Sequence, residues 1–189
     1  MARFTALYDA CVLHPATMRD LLLRLAAVNL ISAKWSRDIH EEWMRSILRR
    51  RPDIRRESLE RVRALMDAHV PDSLVEGYEA LMSALTLPDS NDRHVLAAAI
   101  RGRADVIVTY NLRDFPASAL SPFGIEAQHP DTFIGHLIDV DARTVLAAVR
   151  AQRAALRNPP VDAIAFVQRL EELELARTAA FLRDALELI

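Results

Sequence analysis

Residues 87–116 read LPDSNDRHVLAAAIRGRADVIVTYNLRDFP, and this stretch decides the fold. A turn-like Asp89-Ser90-Asn91-Asp92 follows Pro88, after which Val95, Leu96, Ala99 and Ile100 recur at the spacing of one helix face. The spacing predicts a capped amphipathic helix. Asp92 falls in its first turn, and Gly102 ends it beside Arg101 and Arg103, whose positive charge suits a helix C-terminus. Asp105-Val106-Ile107-Val108-Thr109 then reads as a strand apolar on both faces, the pattern of a parallel sheet covered by helices. A helix feeding a buried strand is half of an α/β unit. Asn111 and Asp114 follow at the strand's C-terminal end, the edge where open α/β sheets place their ligands.

Upstream, Arg3-Phe4-Thr5-Ala6-Leu7-Tyr8 is a β-prone run closed by Asp9. Leu21, Leu22, Leu25 and Val28 make one helix face, and Leu30-Ile31-Ser32-Ala33 reads as a second short strand, so the chain begins as a βαβ unit. Ser36 is expected to cap a helix running to about Arg49, with Ile39, Trp43, Ile47 and Leu48 inward and Glu41 and Glu42 in its early turns. An arginine-rich segment follows, from Arg49-Arg50-Arg51 through Arg55, Arg56, Arg61 and Arg63. Its plain reading is a solvated face, although arginine also makes bidentate contacts to phosphate. Leu74 to Leu85 is expected to form a further amphipathic helix. Downstream, Phe123 to Ala127 reads as a last strand, and Asp131 as the cap of a helix to about Ile138. From Asp141 onward the pattern is helical only, over Val145–Leu156, Ile164–Leu173 and Leu175–Ile189, with a break at Pro159-Pro160. The expected organisation is a sheet domain over residues 1–138 and a helical appendage over 139–189.

Composition narrows the function classes. The chain has 189 residues, 51% hydrophobic and 26% charged, enough for one sizeable core with an extension. A formal net charge of −2 excludes a globally basic nucleic-acid coat but leaves room for local basic patches. Lys34 is the only lysine, which removes Schiff-base and P-loop lysine mechanisms. The single cysteine, Cys11, excludes a disulfide framework or a cysteine zinc cluster and reads as a small buried apolar residue in a reducing compartment. The four glycines are not spaced to cradle a phosphate. With no leader pattern and no apolar run of membrane length, a cytoplasmic protein without a membrane partner is expected.

Asp9, Glu42, Asp92 and Asp114 then stand as candidate site residues in an α/β order. Each has a plainer reading. Asp9 alone is as readily a turn or capping residue, and a glutamate early in a helix more often serves the helix dipole. Together they say more, because carboxylates held close repel unless a hard cation such as Mg²⁺ or Mn²⁺ neutralises them. Cation-bound carboxylate clusters serve phosphoryl chemistry.

The sequences LYDACVL, IHEEW and, most specifically, PDSNDRHVLAAAIRGRADVIVTYNLRDFP resemble the PIN-domain ribonucleases, particularly the VapC-like toxins, over roughly residues 3–138. The helical tail is similar to the extension of one subgroup. The resemblance implies a three-layer α/β fold, a short parallel sheet flanked by helices, with a C-terminal helical appendage. It implies Mg²⁺- or Mn²⁺-dependent endonucleolytic cleavage of RNA, with Asp9, Glu42, Asp92 and Asp114 as catalytic and metal residues and Thr109 and Asn111 in support. Where many members carry an aspartate two residues after the threonine this chain has Asn111, so Asp114 stands as the fourth carboxylate and its metal contact, direct or through water, is left open. Arg93 and Arg113 are candidates for holding phosphate, with a bland surface role equally open. His14, His40 and His94 read as surface or packing residues. A small antitoxin protein is the implied partner beside RNA, and a homodimer is left open. The rival reading is a non-cleaving RNA- or protein-binding module on the same acidic fold. A phosphatase built on Asp9 ranks lowest, because Cys11 stands where a second aspartate is needed.

Overall fold

The computed structural model describes residues 4–189, so Arg3 of the expected first strand lies outside the described residues. Strands Thr5–Tyr8 (β1), Ser32–Ser36 (β2), Leu74–Val75 (β3), Val106–Val108 (β4) and Glu126–Gln128 (β5) form a five-stranded sheet in the order β3-β2-β1-β4-β5. All pairings are parallel, with Leu7 opposite Lys34 on one side and Ile107 on the other. The two central strands are the apolar ones: Ala6, Leu7, Tyr8, Val106, Ile107 and Val108 are fully buried, as two-sided cover by helices requires.

The first part of the chain supplies helices Ala10–Leu13 (α1), Ala16–Ala27 (α2), Arg37–Arg50 (α3), Arg56–His69 (α4), Arg93–Arg101 (α5) and Ala117–Leu120 (α6). Pro130–Ala155 (α7), Ala163–Glu172 (α8) and Ala176–Arg183 (α9) complete the chain's main helices. Helices flank the sheet in a three-layer α/β arrangement, with the C-terminal helices added to it. Ser36 caps α3 as its sequence suggests, its hydroxyl accepting from the Ile39 amide at 3.2 Å. No helix among the described residues is long and apolar enough to cross a membrane.

The last strand is Glu126–Gln128 rather than Phe123–Ala127, because Ser121–Phe123 coil as a 3₁₀ turn closed by Gly124 at φ 68°, and the last helix ends at Arg183 rather than Ile189. Three more elements depart from the sequence expectation. The second strand is Ser32–Ser36 rather than Leu30–Ala33. Asn29, at φ 61°, turns the chain after α2, so pairing with β1 begins only where the Ser32 amide reaches the Phe4 carbonyl at 2.9 Å. The apolar Leu30-Ile31 pair fills the turn instead.

The second departure is at Leu74–Leu85, which is not one helix. Leu74–Val75 add an edge strand to β2, Gly77 takes φ +72°, and only Glu79–Ala84 coil, as a 3₁₀ helix. An edge-strand pairing and a left-handed glycine override the local amphipathic pattern.

The third is α7, which does not stop near Ile138. It continues to Ala155 across a kink at Asp141, whose φ of −154° is non-helical and whose carboxylate accepts from the Thr144 amide, capping the second segment. His129, not Asp131, caps its start, accepting from the Asp131 amide at 3.2 Å. The division expected between residues 138 and 139 falls inside the first segment, just before the kink.

Candidate active site

The sheet brings the first two candidates together. Because Tyr8 lies opposite Val108 on adjacent parallel strands, the residues just past each strand end, Asp9 and Thr109, emerge side by side. The Asp9 amide donates to the Val108 carbonyl at 3.1 Å. Thr109, fully buried, donates its hydroxyl to Asp9 Oδ2 at 2.7 Å, and the Ala10 amide donates to Oδ1 at 2.7 Å. Cys11 Sγ stands 3.2 Å from the same Oδ2 and 3.3 Å from Thr109 Oγ1. Asp9 thus both caps α1 and presents a carboxylate at the sheet edge. Its burial pushes the carboxyl pKa up, the Thr109 and Cys11 bonds pull it down, and the charge of Glu42 raises it again. Burial and the charge of Asp9 also push the Cys11 thiol well up, so it remains a protonated donor rather than a nucleophile.

Asp92 faces this pair from the start of α5. It sits between a 3₁₀ turn and the helix and makes no side-chain capping bond. Asp89 does that work instead, accepting from the Asn91 amide at 2.8 Å. Burial, and after it the charges of Asp9, Asp89, Asp114 and Glu42, together push the Asp92 pKa up to about 7. Four other carboxylates therefore act on one half-buried side chain.

Asp114 closes the 3₁₀ turn Leu112–Asp114 after β4 and is partly buried, while Asn111 is exposed and donates its amide to Thr109 Oγ1 at 2.9 Å. Glu42 projects from α3, half-exposed, with His94 Nε2 at 3.3 Å from its carboxylate. Burial alone would lower the His94 pKa; the bond and charge of Glu42 outweigh it and raise it. Arg93 is partly buried, with its Nε unpartnered, and Arg113 is exposed. Arg45 and Arg49 share a cavity with Asp38, Glu42, Asp92 and His94.

Asp9 and Thr109 are thus in direct contact, and Glu42, Asp92 and Asp114 face them through their charges rather than through bonds. Among the described residues no three His, Cys, Asp or Glu side chains converge closely enough to hold an ion as they stand. Like charges spread side chains that a shared cation would draw together. By chemistry, all-oxygen carboxylates, one of them with its pKa raised by burial and by the charges of the others, fit a hard divalent cation.

Sequence reasoning missed two contributors. Cys11 is a hydrogen-bond partner of Asp9 and Thr109 rather than an apolar filler; its position two residues after Asp9 was the available signal. His94, two residues after Asp92, grips Glu42. His40 is a packing residue: Trp43 Nε1 donates to its Nδ1 at 3.0 Å, leaving Nε2 to donate to Asp67.

A PIN domain family model matches residues 5–113, and a VapC50 C-terminal domain model matches residues 130–184. A curated protein named "Putative ribonuclease VapC50", from Mycobacterium tuberculosis (strain ATCC 25618 / H37Rv), is 41% identical over 96 residues, which are 51% of this chain and 56% of that protein. The chain therefore matches little more than half the length of that relative. No solved structure matches the chain significantly.

Proposed function

The chain belongs to the PIN-domain family, and from that premise we propose that it is a divalent-cation-dependent endoribonuclease, the toxin of a toxin–antitoxin pair. The observation that carries this reading is the set of carboxylates acting on Asp92 across the C-terminal edge of the sheet, beside a buried Asp9 whose second oxygen Thr109 holds. Asp9, Glu42, Asp92 and Asp114 would hold Mg²⁺ or Mn²⁺, which there supplies charge to polarise a phosphodiester and to acidify an attacking water. Thr109 and the Ala10 amide fix the orientation of Asp9, and His94 fixes Glu42. No protein nucleophile is required. Arg45 and Arg49 share a cavity with Glu42 and Asp92, and on this reading they, with Arg93 and Arg113 next to the acidic residues in sequence, supply guanidinium groups suited to phosphate.

The name of the relative supports ribonuclease chemistry, and its VapC designation supports the toxin role. The partner expected on that reading is a small antitoxin whose tail enters the acidic groove and presents an arginine to the carboxylates. The test is cleavage by purified protein of single-stranded RNA and of a small phosphomonoester, with Mn²⁺, with Mg²⁺ and with chelator. RNA cut only with the cation, and the monoester left intact, is the expected outcome; RNA left intact in every condition, or cut equally in chelator, overturns the reading. Growth arrest on expression, relieved by the co-expressed antitoxin, tests the toxin half: a chain that cleaves RNA in vitro yet is harmless at high expression is not a toxin.

A further inference from the structure

Glu42 stands between two cavities. One, of about 380 Å³, holds Asp92 with Arg45 and Arg49. The other, of about 440 Å³, opens on the far side between α1, α3 and the turn joining α8 to α9, and carries His14, Ser46, Arg50, Tyr110, Glu172 and Glu174 on its walls. That turn is fastened to the sheet domain. Tyr110 donates its hydroxyl to the Leu173 carbonyl at 2.9 Å, Glu174 takes the left-handed φ of 60° at the bend, and His129 Nε2 lies 3.8 Å from the Glu174 carboxylate. Tyr110 directly follows Thr109, and its own amide donates to Cys11 Sγ at 3.3 Å. The backbone that aligns Asp9 therefore also anchors the wall of this cavity. Nε2 of His14 is buried without a hydrogen-bond partner.

We propose that this cavity receives the base of the nucleotide flanking the bond to be cut, and that Glu172 and Glu174 select a base presenting N–H donors, guanine foremost. The inference rests on the RNA-cleaving reading above. RNA sequence is read mostly on single strands, whose splayed bases lie against flat side chains and are recognised along their edges. The cavity has room for one such nucleotide, and Tyr110 and His14 stand among its lining residues. Three carboxylates, Glu42, Glu172 and Glu174, line it against the single guanidinium of Arg50, so a phosphate is repelled from the glutamate end while a neutral base with N–H groups is not. Phosphates are left to Arg50 and, across Glu42, to Arg45 and Arg49. A carboxylate accepts from the adjacent N1–H and amino group of guanine at once. Uracil offers one N–H between two carbonyl oxygens, which a carboxylate repels. The C-terminal helices thereby take part in choosing the substrate as well as in packing.

The test uses the full chain in an Asp92→Asn background and four fluorescein-labelled RNA hexanucleotides that differ in one central base, with binding followed by anisotropy. Guanine is expected to bind at least about tenfold more tightly than uracil. Adding Glu172→Gln and Glu174→Gln narrows the ratio to within about twofold, and both glutamates are exposed, so the fold tolerates the change. Arg50→Ala weakens all four about equally. Four equal affinities in the starting protein, a preference that survives both glutamine substitutions, or no binding at all overturns the subsite. Failure of the nuclease reading is recognised separately: a chain with Asp92 intact that cuts none of these RNAs, while the Asp92→Asn form keeps the glutamate-dependent preference, loses its assigned reaction and keeps its base pocket.

Discussion

At Asp9 one carboxyl group meets two opposed demands, burial that disfavours its charge and a Thr109 hydroxyl, a Cys11 thiol and the Ala10 amide that hold it in place. Removing the hydroxyl tests which matters more for function. Thr109→Val is expected to cost about 1 kcal/mol of stability by leaving Asp9 short of a donor, and to lower RNA cleavage tenfold or more by freeing its orientation, while Thr109→Ser restores both; parallel melting and cleavage assays measure this. Asp92 makes the pH prediction. Its folded pKa, about 7, lies above the ordinary carboxylate value, so the folded state binds the proton more tightly than the unfolded state. Its contribution to stability is fully present below pH ~4 and is lost as pH rises through about 7. In chelator the unfolding free energy is therefore expected to fall between pH 5 and pH 8 by an amount on the order of 1 kcal/mol for a half-exposed group, the melting temperature falling with it, and Asp92→Asn flattens that slope. A slope unchanged in Asp92→Asn removes the shared field at this site.

Single elements are held by side chains that act across the fold. Asp131 caps a helix other than its own: its carboxylate accepts the Arg177 and Thr178 amides at 2.8 and 2.9 Å, and the Thr178 hydroxyl at 2.8 Å, closing the open start of α9 from the first turn of α7. Asp131→Ala is expected to destabilise the protein by about 1 to 3 kcal/mol and to speed amide exchange first in α9. Ser36→Ala, at the start of α3, is expected to cost about 1 kcal/mol. The element types within the central stretch were legible because their periods are local, with α5 and β4 lying where apolar spacing puts them. Three boundaries were not. The start of β2, the short β3 and the length of α7 depend on a positive φ at Asn29, one at Gly77 and a kink at Asp141, which compete with propensity through pairing partners remote in sequence.

At the scale of the whole molecule a cation shared by several elements should behave as a ligand of the fold. Saturating Mn²⁺ is expected to raise the melting temperature by about 5 °C, and Asp9→Asn to abolish cleavage and most of that rise while melting in chelator no lower than the parent, since it removes a charge held near others. Activity and stability then move in opposite directions. A Mn²⁺ stabilisation undiminished in both Asp9→Asn and Asp92→Asn would remove the two residues from the proposed site.

Hydrophobic period and the capping Ser36 were sufficient to read an α/β fold from sequence, because side-chain period and local capping act over a few residues, and the family was legible only through the resemblance of the motifs that carry Asp9, Glu42, Asp92 and Asp114. Tertiary structure alone decided what those acidic residues meet. Thr109 reaches Asp9 only because β1 and β4 pair in parallel, and His94 reaches Glu42 only because α5 packs near α3. The turn after α8 forms a wall beside Glu42 only because Tyr110 binds Leu173 across the chain. Each contact joins residues far apart in sequence, where no local period or spacing carries information.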